Sequence, residues 1–170
     1  MDVKDKIMNA LLRPLKAEYV QLDDDDGISG FVVSRLFQKM DTLDRQLMID
    51  EALQKARLTQ DQRRNILMIA GLTPEEYDAV GVRIRVHKVK DIAPGEVEVL
   101  VHGGWSDAEY VRGALNNQKG VQTTVPHPSP GAPGVMMSFR VKGSTANPLT
   151  REKVMQILGH DKYIEVMAHA

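Results

Sequence analysis

Along the first 80 residues, apolar positions follow helical spacing in some segments and form short strand-like runs in others. Val3, Ile7 and Leu11 recur every four residues, so the spacing predicts a helix with one apolar face that ends at Pro14. Capping residues and turn-forming clusters mark the other elements. The pattern predicts helices over 3–13, over 43–56 and from Thr59, strands over 19–22, 31–34 and 66–70, and a last helical turn from Thr73. The predicted order is αββααβ followed by a helical turn, with the helices on one face of a three-stranded sheet.

Two apolar segments in this half carry specific expectations about burial. Leu43 and Leu47 lie four residues apart in the second predicted helix, so we expect them on its apolar face. Residues 66–70 form a continuous apolar run, which is typical of a strand buried on both faces. Residues 23–30, which contain four consecutive aspartates, predict an exposed loop between the first two strands.

From residue 81 onward the pattern changes to strict alternation of apolar and polar residues. The first alternating segment has one apolar face and one polar face, and the polar face carries Arg83, Arg85 and His87. The pattern predicts strands over 82–89 and 96–102, a helix over 106–117, an exposed loop over 118–134, a strand over 135–141, a helix over 148–158 and an edge strand over 163–167. We therefore expect an α/β (α+β) protein with two domains, 1–80 and 81–170, the second a small sandwich of order ββαβαβ.

Charge and composition narrow the classes of function. The 170 residues carry a net charge of −1, but residues 1–80 hold 11 Lys and Arg against 15 Asp and Glu, whereas residues 81–170 hold 11 against 8. Neither half has the basic excess that marks nucleic-acid binding by charge alone. The absence of cysteine excludes a thiolate nucleophile or thiolate metal ligand from this chain. No apolar run approaches the roughly 20 residues that span a bilayer, and no secretion signal is evident, so we expect a cytoplasmic protein.

The first half contains a set of motifs with a recognisable order. A strand that ends Val-Val-Ser leads to a Phe, an Arg follows on a helix, and a Thr-x-x-Glu-Tyr segment closes the region. The residues that define this register are Ser34, Phe37, Arg45, Leu53 and Thr73. Over about residues 1–80 the chain resembles the BolA family, whose fold shares the αββααβ order with class II KH-like domains. The second half resembles no family that we recognise.

The resemblance implies a partner and also a difference from the family. Many BolA proteins pair with monothiol glutaredoxins and supply a histidine ligand to a shared two-iron, two-sulfur cluster. In this chain Gln46 and Asn65 stand where the family usually has histidine, and an amide nitrogen is a poor iron ligand because its lone pair is delocalised. We therefore expect a non-enzymatic adaptor or regulator that binds a protein partner, possesses no cofactor and shares no cluster. The aspartate loop would lie near the partner surface and favour a basic partner.

Nucleic-acid binding is the alternative function. The cations that could contact phosphates are Lys39, Arg45, Arg57, Arg63 and Arg64, which cluster around the predicted helices. Acidic residues are interspersed among them, so a solvated helix face with weak ion pairs also explains the pattern. Asn65 is a further candidate for contact with nucleic acid or a partner.

The second half offers a third option, an enzyme or small-ligand site at the domain junction. The basic stripe of Arg83, Arg85 and His87 could hold an anion, although pairing with the glutamates at 96 and 98 on the facing strand would also account for it. His102 and Trp105 flank a strand-to-helix junction that could line a pocket. No nucleophile, phosphate-loop or metal-site motif is present, so we expect neither a catalytic nor a metal site.

Overall fold

The computed structural model describes residues 3–24, 26–130 and 136–167. The chain divides into two compact units, Met1–Val82 and Arg83–Ala170, called here the first and second units. Within the described residues, six α-helices and two β-sheets confirm the predicted mixed α/β class. None of the described helices has the length and apolar character that crossing a bilayer requires. The cytoplasmic location stays a prediction.

The first unit contains a three-stranded sheet and four helices in the predicted order. Its elements are α1 Val3–Leu12, β1 Tyr19–Asp24, β2 Ile28–Val33, α2 Thr42–Gln54, α3 Gln60–Arg64, β3 Ile66–Leu72 and α4 Pro74–Val80. The strands lie in the order β1-β2-β3, with β2 antiparallel to β1 and parallel to β3. Asp41, Thr59 and Thr73 accept backbone hydrogen bonds that start α2, α3 and α4, which explains why these helices begin where the sequence predicted.

Three sequence expectations about this unit are wrong. The predicted loop over 23–30 is shorter, because β1 continues to Asp24 and β2 starts at Ile28. Leu43 and Leu47 are exposed, because α2 turns Ile49 and Ala52 to the core. The strand over 66–70 is not buried on both faces, because Leu67 and Met68 are exposed and Ile69 is the one buried residue among the five.

The sheet of the first unit is covered on both faces at one end. Tyr19 and Val20 are successive residues of β1, so they point to opposite faces, and both are buried. Tyr77 of α4 covers the Tyr19 face, with ring centroids 5.4 Å from Tyr19 and 5.5 Å from Phe31. The hydroxyl of Tyr77 also donates to the carbonyl of Val82. These contacts fix α4 against the sheet.

The second unit is built around a larger, mainly antiparallel sheet. Its elements are β4 Ile84–Ala93, β5 Glu96–His102, α5 Trp105–Asn116, β6 Gln122–Thr123, β7 His127–Pro128, β8 Met136–Lys142, α6 Arg151–Gly159 and β9 Ile164–Val166. The strand order is β6-β8-β5-β4-β9, with β7 also paired to β8 and β9 parallel to β4. The predicted ββαβαβ order is present with two short strands added.

Two sequence expectations about the second unit need correction. Residues 118–134 are not all loop, because β6 and β7 pair with β8; residues 131–135 lie outside the described residues. The alternation in β4 is not continuous, since a register shift between Val86 and Lys88 moves the next buried residue to Val89. In β5, by contrast, the three alternating valines at 97, 99 and 101 are all fully buried.

Candidate functional site

The most unusual surface of the first unit is formed by two apolar side chains on β3. Leu67 is 62% exposed and Met68 is 66% exposed, whereas the next residue, Ile69, is buried. β3 ends the sheet, so one of its edges has no strand beside it within the described residues. Open edges normally carry charged or short segments that prevent pairing with other chains. Leu67 and Met68, called here the β3 strip, are instead apolar and exposed, so they do not prevent such pairing.

The turn between β1 and β2 positions one end of the β3 strip. A side-chain carbon added to Gly27 would lie 2.8 Å from Cγ and Cδ1 of Leu67, so the side chain of Leu67 lies against this turn. Gly27 also has a φ of 122°, which an L side chain rarely adopts. The positive φ therefore favours glycine here, whereas the exposed side chain of Leu67 can rotate away from a larger residue.

The strand register places further apolar surface beside the β3 strip. Ser29 lies opposite Met68, and in the next row of the same face Phe31 lies opposite Ala70. Phe31 and Ala70 are half-buried, because Tyr77 covers Phe31 from one side only. The apolar surface therefore extends from β3 onto β2.

The same turn gives this surface an acidic border. Asp23, Asp24 and Asp26 are exposed, and Asp24 is paired with Lys4 at 2.5 Å. Because Gly27 contacts Leu67, the carboxylates lie at the end of the β3 strip. The site therefore combines an open strand edge, exposed apolar side chains and negative charge.

Arg45, which the sequence offered as a contact with phosphate, forms a clamp within the first unit. Its guanidinium donates to both carboxylate oxygens of Glu76, at 2.8 and 2.9 Å, and to the carbonyls of Met40 and Gly71, at 3.0 and 3.2 Å. The hydrogen bonds with Glu76 raise the pKa of Arg45 and lower the pKa of Glu76. This clamp joins α2 to α4 and to β3, so Arg45 is removed from the set of cations that could contact phosphate.

The other four predicted cations of the first unit are all exposed. Arg63 donates to the carbonyl of Gln54 at 3.5 Å, and Arg64 lies 3.8 Å from Asp61. Lys39 and Arg57 are exposed.

The two amides at the family's histidine positions have different environments. Gln46 donates to Asp50 on the same helix. Asn65 is the exposed C-cap of α3, and its backbone carbonyl accepts from Ile28. The structure does not place Gln46 and Asn65 in a shared ligand cluster.

In the second unit, two of the five predicted ligand candidates meet. Nε2 of His102 lies 3.2 Å from Nδ1 of His87, and the rings meet edge to face. Burial lowers the pKa of His102, and the nearby His87 and Arg85 lower it further. Among the described residues, no group of three or more His, Asp or Glu side chains could hold a metal ion.

The predicted charge pairing across the β4–β5 hairpin is wrong. Glu98 lies opposite Lys90 and Arg140, and Glu96 lies opposite Ala93 and Lys142. The hairpin turn places these glutamates far along β4 from the basic stripe. Arg85 instead lies opposite Glu165 of β9, whereas Arg83 precedes β4 and is exposed.

Trp105 lies at the start of α5, three residues after His102. It is half-buried, and the backbone amide of Gly104 donates to Asp107 as the helix begins. Asp107 also contacts the position where Gly103 would have a side chain, and Gly103 has a φ of 103°, so Gly103 permits this tight junction. A ligand site that uses Trp105 stays a prediction.

Sequence reasoning missed the residues that make the β3 strip exposed. The apolar run itself was recognised, but an apolar run predicts a buried strand in the absence of sheet order. The signal that could have found the strip is the αββααβ order, because the last strand of a three-stranded sheet can lie at its edge.

Comparisons with known proteins give a distant likeness. No protein-family model matches the chain, and no curated protein matches its sequence. Among solved structures, BolA1 from Arabidopsis thaliana matches with 14% sequence identity and a TM-score of 0.36, over 45% of this chain and 96% of that chain. A likeness of this size assigns neither a family nor an activity to the chain.

Proposed function

We propose that the first unit is a protein-binding adaptor module that takes an extended segment of a partner along β3. The observation that carries the proposal is the exposure of Leu67 and Met68 on a strand with one open edge. An added strand would satisfy the backbone groups of that edge as far as Gly71, whose carbonyl Arg45 already occupies, and side chains of the partner would contact the β3 strip. The contact would also remove apolar surface from water.

The chemistry of the surface favours a particular kind of segment. The register places Met68 and the half-buried Phe31 on one face of the sheet, so they favour apolar side chains at alternating positions of the partner. Leu67, next to the register shift between β2 and β3, adds apolar surface beside the acidic turn. The carboxylates of Asp23 and Asp26 favour a lysine or arginine beyond the apolar residues. The expected partner segment is therefore extended, apolar and basic at one end.

A monothiol glutaredoxin is the first partner to test, because the sequence resemblance to BolA proteins implies it. We expect the complex to form without a shared iron–sulfur cluster ligated by this chain. Gln46 and Asn65 carry amides, and the chain has no cysteine to replace the absent imidazoles.

Nucleic-acid binding is less well supported by the geometry. Arg45 is committed to Glu76 and to two carbonyls, while Arg63 donates to the Gln54 carbonyl of α2 and Arg64 lies near Asp61 of its own helix. The absence of enzymatic activity stays a prediction as well.

The test replaces the apolar strip without disturbing the core. In the variant Leu67→Lys with Met68→Lys, both new side chains are exposed, so the fold should persist. The matched control is Val125→Lys, because Val125 is 70% exposed but belongs to the second unit. Binding would be measured by calorimetric titration with cluster-free monothiol glutaredoxin and by quantitative capture from the native host.

The proposal predicts that the strip variant loses at least tenfold in affinity for the partner while the Val125→Lys control binds normally. Crosslinks from a photoreactive group placed at residue 68 should map to an extended partner segment. Equal recovery of the partner by wild type and strip variant would contradict the proposal. The proposal would also be contradicted if the group at residue 68 formed crosslinks only with the second unit of this chain and none with the partner.

A further inference from the structure

A second concave site of the first unit lies between α1 and α2. The cleft has a volume of about 480 Å³, which falls within the usual range for small-molecule sites. It is lined by Lys6, Asn9, Ala10, Arg13, Pro14, Ala52, Lys55 and Ala56. None of these residues belongs to the β3 strip or to the acidic turn. The cleft is therefore a separate surface of the same unit.

Short side chains create the space of the cleft. Ala10 and Ala56 face it from the two helices, and Ala52 forms a buried part of its floor. Larger apolar residues at these positions would fill the gap between the helices. The floor is therefore apolar and leaves room for a hydrocarbon or aromatic group.

The charge of the cleft is opposite to that of the unit around it. Its three ionisable lining residues, Lys6, Arg13 and Lys55, are all cations, although residues 1–80 carry more acids than bases. Lys55 lies 3.4 Å from Glu51, and both of these side chains are largely exposed, so this pair is weak. Lys6 and Arg13 form no ion pair with another described residue. The rim thus has positive charge available for a ligand.

We propose that this cleft binds a small organic anion, a carboxylate attached to a short alkyl or aromatic body. The body would lie on the alanines, and the carboxylate would contact Arg13 and the lysines at the rim. A guanidinium can bind a carboxylate through two parallel hydrogen bonds, and such charge-assisted bonds are stronger than neutral ones. This inference goes beyond the adaptor function and does not depend on it, because the two surfaces share no residue.

Octanoate is a suitable probe, since it has one carboxylate and a short alkyl body. Its binding to the full-length chain would be followed by backbone amide shifts in NMR spectra, with attention to Ala10, Ala52 and Ala56. Acetate lacks the body, and 1-octanol lacks the charge. The proposal predicts localised, saturable shifts with octanoate and at least tenfold weaker binding of each control compound.

Two double variants distinguish the effect of the rim cations on octanoate binding from the effect of the protein's overall charge. Arg13→Gln with Lys55→Gln should weaken octanoate binding at least tenfold, whereas Arg57→Gln with Arg64→Gln removes two exposed cations outside the cleft and should leave it unchanged. Ala56→Leu should abolish binding by filling the cleft, and its NMR spectrum outside the cleft would show whether the fold persists. Equal binding of acetate or octanol, or equal losses in the two double variants, would overturn the proposal.

Discussion

Apolar strand residues are buried in the sheet of the second unit but partly exposed in the sheet of the first unit. In the second unit, β5 lies between β4 and β8, and its valines at 97, 99 and 101 are fully buried. In the first unit, β3 has one neighbouring strand and exposes Leu67 and Met68. Residue type alone does not decide whether an apolar side chain belongs to the core, because Ile69 of the same strand is buried while Leu67 and Met68 are exposed. In the proposed function, the exposed Leu67 and Met68 form the binding surface.

The largest difference in the free energy of unfolding is expected when one apolar strand residue is replaced in each unit. Phe139 of β8 is fully buried opposite Val99, so Phe139→Ala should lower the free energy of unfolding of the second unit by about 3–5 kcal/mol. Met68→Ala should change the stability of the first unit by about 0.5 kcal/mol or less. Urea unfolding would measure both changes. Trp105, the single tryptophan, reports on the second unit by fluorescence, and circular dichroism reports on the whole chain.

Comparable losses in the two variants would show that the β3 strip is part of a core. A Met68→Ala variant that unfolds near the wild-type urea concentration, yet binds the partner poorly, would sharpen the distinction between packing and recognition.

A medium effect is expected at the clamp that holds the end of β3. Arg45→Ala removes the partner of Glu76 and of the Gly71 carbonyl, so we expect a loss of about 1–3 kcal/mol in the free energy of unfolding. Arg57→Ala removes an exposed arginine of the same unit and should cost about 0.5 kcal/mol or less. Chemical denaturation followed by circular dichroism would measure both. Equal costs would mean that the clamp contributes no more than an ordinary surface residue.

The clamp should also depend on pH. Because Arg45 lowers the pKa of Glu76 below its ordinary 4.5, the folded chain holds that proton less tightly than the unfolded chain. The stabilisation is present above pH 4.5 and is lost as the pH falls through the lowered value. Arg45→Ala should remove this component of acid sensitivity, although the exposure of Glu76 makes the component small.

The smallest expected effect concerns the histidine pair of the second unit. Burial and nearby charge lower the pKa of His102 below its ordinary 6.5, so the unfolded chain binds the proton more tightly than the folded chain does. This contribution to stability is complete above pH 6.5 and is lost as the pH falls towards the lowered pKa. Urea midpoints followed through Trp105 should fall between pH 7.5 and 5.5, and by less in His102→Gln. A larger fall in the variant would contradict this assignment.

Local sequence rules predicted most of the helices and strands, but they were less successful at predicting which of their residues are exposed. Thr59 and Thr73 marked helix starts because a side-chain oxygen at that position satisfies a free backbone amide, which is a local effect. Burial on β3 and α2 depended on which neighbours those elements acquired. The exposure of Leu43, for example, follows from the rotation of α2 about its axis, which apolar spacing alone did not fix.

The candidate sites were harder to predict because they depend on distant contacts. The meeting of His87 with His102 follows from the register of a hairpin with a bulge, 15 residues apart in sequence. Arg45 was singled out as a possible phosphate contact, but its partner Glu76 is 31 residues away, and only the folded chain shows that the guanidinium is already occupied. The cleft between α1 and α2 arises from small residues on two helices, and neither helix alone indicates it.

The acidic turn beside Leu67 also affects how copies of the chain meet one another in a concentrated solution. An open apolar edge is a template for self-pairing and aggregation. A second copy that paired with β3 in the same direction would place its own aspartates at the same end of the joined sheet as Asp23 and Asp26, with both β3 strands between the two β2 strands. Neighbouring strands lie about 4.8 Å apart, so the two acidic turns would be farther apart than the roughly 8 Å beyond which dissolved ions screen charge at physiological ionic strength. The repulsion is therefore strong at low salt concentration, and parallel self-association through β3 should increase as salt is added.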